Sequence, residues 1–245
     1  MELSRRNVLA GAGLAGVAMA LQPGQAGAEE DALALPGTPL AAKAQQLMED
    51  SLTAAIRNHS VRGYLFGRRL AQEQGLRPGA DFDDELVYLI CALHDIGLSD
   101  LANGDQRFEL DGADFGARFL EENGVGDERV DVVWDAIAVH TLGFIDSPVF
   151  RRRRRPEIWI AVSGIGIDVG GGPADLPAGY GDLVHARYPR LGGGRALADI
   201  VDAQALANPL KAMPGTLANA LVQQRHPEKM LAGIGTIDLT NNWGD

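Results

Sequence analysis

The 245 residues carry 22 Lys and Arg against 33 Asp and Glu, a net charge of −11, which makes nucleic acid and anionic membrane surfaces poor partners. Cys91 is the only cysteine, so an internal disulfide and a thiolate metal cluster are both excluded. The length suits one globular domain with a sizeable core.

The chain opens with a separable piece. Ser4-Arg5-Arg6 precedes a mildly apolar run from Val8 to Leu21, and Ala26-Gly27-Ala28 closes it. A twin arginine, a short apolar region and a small-residue cleavage site read as a twin-arginine-type signal peptide over 1–28. The run is too short and too rich in glycine to span a bilayer, so no stable membrane insertion is expected. This reading makes the protein an exported, periplasmic one whose first partner is the twin-arginine export machinery.

Residues 29–39 are acidic and contain proline, a flexible lead-in. Leu47, Leu52, Ala55 and Ile56 recur at helical spacing and predict a helix over 40–57. A second helix follows over 60–74, with Tyr64, Leu65 and Leu70 among its apolar positions. After the turn at Gly75–Gly79, Asp83 or Asp84 caps a third helix whose stripe is Leu86, Ile90 and Leu93. It runs into Leu93-His94-Asp95-Ile96-Gly97, where Gly97 supplies the freedom to end it. Asp111 reads as the N-cap of a helix over 112–122, and another helix runs from Asp127 to His140. Arg151 to Arg155 reads as a solvated loop of like charges. Pro156 opens a helix that ends at Asp168, and shorter pieces follow over 182–187, 196–207 and 216–224. No strand alternation is present. All-α is the expected class, with a loop-rich C-terminal extension.

His94 and Asp95 are adjacent, so at a helix end their side chains diverge by about 100° and both can reach one ion. Nitrogen and oxygen ligands together suit a divalent transition metal: zinc, iron or manganese. Further helix-end candidates are His59, His140 and Asp168. Cys91, three residues before His94, reads as a small buried hydrophobe. His185 and His226 fall in the turn-rich tail and read as surface residues.

A histidine, a His-Asp pair and a distal aspartate, here His59, His94, Asp95 and Asp168, resemble the pattern of the HD-domain superfamily of metal-dependent hydrolases. His59-Ser60-Val61-Arg62-Gly63-Tyr64, Phe108-Glu109 before Gly112-Ala113, and Ala136-Ile137 before His140-Thr141 resemble its cyanamide hydratase-like branch. The resemblance implies an HD-type metal-binding helical core over 40–170, with 171–245 packing on it as an extension. It implies those four residues as metal ligands, with zinc first among the candidate ions; the resemblance does not carry the substrate over, and a small molecule, cyanamide or another nitrile, is the expectation. Asp95 would accept a proton from bound water while remaining a ligand, and His140 would transfer protons or orient the substrate. Arg62 would steady an anionic intermediate, or pair with Asp84 or Glu85. Glu109 would orient a ligand imidazole, or stand as a solvated acid. Two other classes remain open at this point: a phosphohydrolase, as in the wider superfamily, and a metal-stabilised binding protein without turnover.

Overall fold

Thr38 starts the first helix, its hydroxyl accepting the Ala41 N–H at 3.1 Å while Pro39 takes the first turn, where its missing N–H would have no helical partner. The computed structural model describes residues 31–229, and in it this helix, α1, spans Pro39–Ser51. Leu52 is extended, and Thr53 caps a new helix, α2, over Ala54–Glu73. The helix predicted over 40–57 is therefore broken at 52–53, and His59 lies inside α2 rather than at a helix start. α3 spans Asp84–Leu93 and is capped by Asp83, whose carboxylate accepts the Leu86 N–H at 3.1 Å. α4 spans Phe108–Glu122 and begins before Asp111. Asp111 is thus no N-cap; its buried carboxylate accepts the Gly104 and Gln106 N–H groups and pairs with the buried Lys211.

α5 (Arg129–Val139), α6 (Pro148–Arg153) and α7 (Pro156–Gly170) follow. The arginine run is not the free loop predicted. Arg151 to Arg153 are the last turn of α6, the Arg151 guanidinium lies 4.2 Å from the Trp159 ring centroid, and Arg155 pairs with Glu128 and Glu157. α8 (Tyr180–Arg187), α9 (Gly194–Ala207) and α10 (Leu217–Arg225) lie where the short C-terminal helices were predicted. The chain is all-α, and no strand occurs among the described residues. It divides into two units, the first ending at Ala34 and the second beginning at Leu35. Of the first, residues 31–34 are described, a turn in which the Ala34 N–H meets the Asp31 carbonyl at 3.3 Å. The predicted export segment, 1–28, lies outside the described residues.

α3 is the centre of the second unit. Every side chain from Leu86 to Leu93 is buried, so the helix is apolar all round, as a helix enclosed by others must be. It packs against α1, α2, α5 and α7. Cys91 is buried there, as the apolar run predicts, and burial pushes its thiol well up from the usual range.

α2 and α7 cross at near backbone contact. A Cβ on Gly164 would stand 2.0 Å from the Gly63 carbonyl oxygen and 2.4 Å from the Gly67 nitrogen; one on Gly67 would stand 2.3 Å from the Ile160 carbonyl oxygen. Only glycine fits such an approach. Gly97 serves the same purpose, since a Cβ there would meet the Phe108 carbonyl oxygen at 2.1 Å. It follows His94 and Asp95 because α4 presses on this turn, not only because a helix ends. The C-terminal helices are tied to this assembly by Gln204, whose Nε2 donates to the Gly97 carbonyl at 2.9 Å, and by Lys211 on Asp111.

Gly164→Ala should destabilise the fold by roughly 2 kcal/mol or more, since backbone atoms cannot step aside as side chains do. Gly166, on the same helix, has nothing within 4 Å of its would-be Cβ. Gly166→Ala should be neutral or stabilising by up to about 1 kcal/mol. Denaturant unfolding of the two variants checks this; equal losses would contradict the close-crossing explanation.

Candidate metal centre

Three imidazoles converge, each fixed through its Nδ1. His59, on α2, has Nδ1 2.7 Å from Asp168 Oδ2. His94, at the C-terminus of α3, has Nδ1 2.7 Å from the Cys91 carbonyl oxygen. His140, at the C-terminus of α5, has Nδ1 2.7 Å from the Ile137 carbonyl oxygen. A carbonyl or carboxylate oxygen only accepts, so Nδ1 carries the proton in each neutral ring and Nε2 keeps its lone pair.

Those Nε2 atoms face one another across Asp95. His59 Nε2 and His94 Nε2 are 3.2 Å apart; Asp95 Oδ2 lies 3.2 Å from the second and 3.8 Å from the first. His140 Nε2 is 3.9 Å from Asp95 Oδ1. The side chains are 6% exposed or less. Two lone pairs 3.2 Å apart in a buried site repel unless a cation or a proton lies between them. Burial alone would lower the His94 pKa and raise that of Asp95, yet the ion pair between them prevails. His94 is raised, and Asp95 is held well below the usual carboxylate range with His59 and His140 adding to the pull. Among the described residues, His59, His94 and Asp95 are the set whose donor atoms all lie within 4.8 Å of one another. The nitrogen and oxygen donors fit a divalent metal.

Asp168 stands one step further out than the sequence pattern predicts. It is on the Nδ1 side of His59, and both its oxygens are engaged. Arg62 donates to it twice, Nε to Oδ1 and Nη2 to Oδ2, each at 2.7 Å, and Arg190 Nη1 approaches Oδ1 at 3.3 Å. Burial would raise the Asp168 pKa, but His59 and Arg62 hold it well below the carboxylate range. Arg62 itself is 0% exposed, and its Nη1 donates to the carbonyls of Tyr188 and Pro189. Its guanidinium is thus occupied by Asp168 and backbone, and it neither reaches substrate nor pairs with Asp84 or Glu85. Asp84 instead meets Tyr64 and Arg68. Glu109 is fully buried and accepts the Thr141 hydroxyl at 2.6 Å, with no imidazole on it. Sequence reasoning missed Arg190 and Thr141. The Arg62 spacing from His59 was the one local sign that a charged partner stood behind that imidazole.

A cavity of about 260 Å³ opens on the cluster. His59, His94, Asp95, His140 and Thr141 form its polar side; Phe108, Ile165, Val169, Leu197 and Leu217 form the rest with two glycines. Leu197 and Leu217 come from α9 and α10, so the C-terminal helices supply a wall. A larger cavity of about 440 Å³ touches Arg190 and His185, beside Asp168, but includes no member of the cluster. His185 is half-buried there, with Nε2 4.0 Å from Asp168 Oδ1, rather than lying free on the surface.

Residues 56–163 match the family model of the HD domain. The match includes His59, His94, Asp95 and His140 and ends before Asp168. No curated protein matches the chain. Over those residues, under half of the chain, the protein is similar to the HD domain, a superfamily made up largely of metal-dependent hydrolases, and within them lies a His-His-Asp set able to bind a divalent metal.

His94→Ala and Asp95→Ala should each abolish stoichiometric zinc binding, whereas Asp168→Asn should keep one ion and bind it roughly 10- to 100-fold more weakly, as loss of an imidazole's orienting partner does. Elemental analysis and competition with a chelator separate these outcomes; complete metal loss in Asp168→Asn would make it a ligand.

Burial, with the neighbouring His94, pushes His140 down to about 4. The folded state therefore resists a proton that the unfolded chain takes up near pH 6.5. Stability from this source is intact above about pH 6.5 and declines by up to about 3 kcal/mol as pH falls to 4. In metal-free protein, urea titrations from pH 7 to 4 should show wild type losing more stability than His140→Gln; parallel losses would refute this.

Proposed function

We propose that this HD domain is a metal-dependent hydratase or hydrolase that adds water to a small, neutral electrophile, with cyanamide or another nitrile as the substrate class. The observation that supports it is the cavity wall: apolar side chains line it with the cluster, and among the described residues no lysine or arginine does. A phosphate ester needs cations around its oxygens besides any metal. Arg62 is committed to Asp168, and Arg190 lines the other cavity, so the phosphohydrolase reading lacks a cation to serve it.

His59, His94 and Asp95 would hold the ion, zinc by preference, with iron or manganese as the alternatives. When bound, it supplies Lewis acidity that acidifies water and polarises an electrophile. His140 keeps its proton on Nδ1 against the Ile137 carbonyl, so its Nε2 is free to take a proton from the attacking water. Asp95 Oδ1, 3.9 Å from that nitrogen, would stabilise the imidazolium formed. The water oxygen bonds to the nitrile carbon, one π pair moves to nitrogen, and Nε2 returns its proton there. The imidic acid then tautomerises to the amide. Arg62 and Asp168 act through His59, by keeping its ring in place.

The export reading of residues 1–28 belongs to the same proposal and puts the mature enzyme in the periplasm. Replacing Arg5 and Arg6 by lysine should leave unprocessed precursor in the cytoplasm; unchanged export would refute it.

The reaction is tested by a screen of small nitriles and phosphate esters on metal-quantified protein. Turnover of nitriles is expected, and turnover of phosphate esters alone would reverse the assignment. His140→Ala should keep its metal and slow turnover by roughly 10²- to 10⁴-fold, the range for a positioned acid or base. Metal loss comparable to that of His94→Ala would make His140 a ligand instead.

A further inference from the structure

Thr141 follows His140 directly and lines the same cavity. Its hydroxyl donates to Glu109 Oε1 at 2.6 Å. Glu109 is 0% exposed, and its other oxygen, Oε2, has no hydrogen-bond partner. A carboxylate only accepts, so the single proton of Thr141 points away from the cavity and its remaining lone pairs can only accept. The neighbouring imidazoles carry their protons on Nδ1, outside the cavity, and Asp95 is a carboxylate. With a metal held by His59, His94 and Asp95, the side-chain atoms left to a ligand on the polar side are the acceptors His140 Nε2 and Thr141 Oγ1, and the rest of the lining includes hydrocarbon from Phe108, Ile165, Leu197 and Leu217. Among the described residues, no lining side chain is left with a proton to donate.

We infer that Thr141, held by Glu109, is a specificity-determining residue that selects a neutral substrate bearing an N–H or O–H donor beside its electrophilic carbon. The inference rests on the reaction proposed above taking place in this cavity. A donor on the substrate satisfies the Thr141 lone pair, which otherwise stays unpaired when water is displaced; one such bond is worth about 1 kcal/mol, roughly a factor of 5 to 10 in affinity. A ligand that brings only acceptors can reach the metal but leaves that lone pair unpaired. Amides and nitriles whose nitrogen is fully alkylated fall in that class. The short apolar part of a substrate would rest on Leu197 and Leu217, contributed by the C-terminal helices. Glu109 is a positioning residue: it touches Thr141, not the cavity.

The test uses zinc-loaded full-length protein and two probes, isobutyramide and N,N-dimethylisobutyramide, titrated by calorimetry or ligand-observed NMR. Wild type should bind isobutyramide roughly 10-fold tighter than its dimethyl analogue. Thr141→Ser should keep that ratio. Thr141→Val, which preserves volume, should lose most of it with metal content unchanged, and Thr141→Ala serves if the valine variant does not fold. Glu109→Met, which frees the Thr141 proton to turn inward, should also reduce the ratio, an effect that a merely structural acid would not have. A ratio unchanged in Thr141→Val and Thr141→Ala, or no preference in wild type, would each overturn the inference. Binding is read without turnover. A protein that shows the Thr141-dependent preference but hydrates no nitrile would refute the proposed reaction and leave this inference standing.

Discussion

The Asp168 carboxylate, held at once by Arg62 and His59, is the constraint on which the rest of the site depends. Two hydrogen bonds of 2.7 Å from one guanidinium fix its plane, and the third, from His59 Nδ1, fixes an imidazole in turn. Bidentate, charge-assisted contacts of this kind carry orientation as well as energy. Burying such a pair is costly, and taking away either partner would leave an uncompensated buried charge, typically a loss of about 3–5 kcal/mol. The two sides of the contact belong to α2 and α7, which can approach only because Gly63, Gly67 and Gly164 have no side chains. A backbone feature thereby decides which nitrogen of His59 faces the cluster.

The same logic recurs at the other two rings with simpler means. His94 and His140 each end a helix and turn Nδ1 back onto a carbonyl of the preceding turn, so a helix terminus both places the ring and sets its tautomer. Asp95 then sits among three unprotonated nitrogens. Metal affinity, the raised His94 pKa and the lowered His140 pKa are consequences of one crowded arrangement, not separate features. Around it the apolar α3 supplies rigidity, which a site of this kind needs if its ligands are to stay within a few tenths of an ångström.

Much of this was legible in the sequence, and the misses have physical causes. The apolar run before His94 showed a buried helix ending in two candidate ligands, and helical periodicity without strand alternation showed the class. Helix boundaries failed where a break left no mark in composition: Leu52 continues the apolar spacing across the gap, although its backbone is extended. Asp111 looked like a cap because caps and buried ion pairs draw on the same residue, and its partner, Lys211, lies 100 positions away. Asp168 was expected as a metal ligand, and spacing carries no information on which face of an imidazole a carboxylate meets. Arg190, Leu197 and Leu217 come from a glycine-rich stretch with no pattern of its own, so their part in the site follows only from tertiary packing.

The most direct test is a crystal structure of zinc-loaded protein with anomalous scattering recorded at the metal edge. One peak is predicted, within about 2.2 Å of His59 Nε2, His94 Nε2 and an Asp95 carboxylate oxygen. Asp168 should remain on His59 Nδ1 with Arg62 still bound to it. A peak ligated by Asp168, with the His59 ring turned away or its Nδ1 released, would contradict the claim that this carboxylate acts by holding the imidazole, and absence of any peak at the cluster would contradict the metal centre itself.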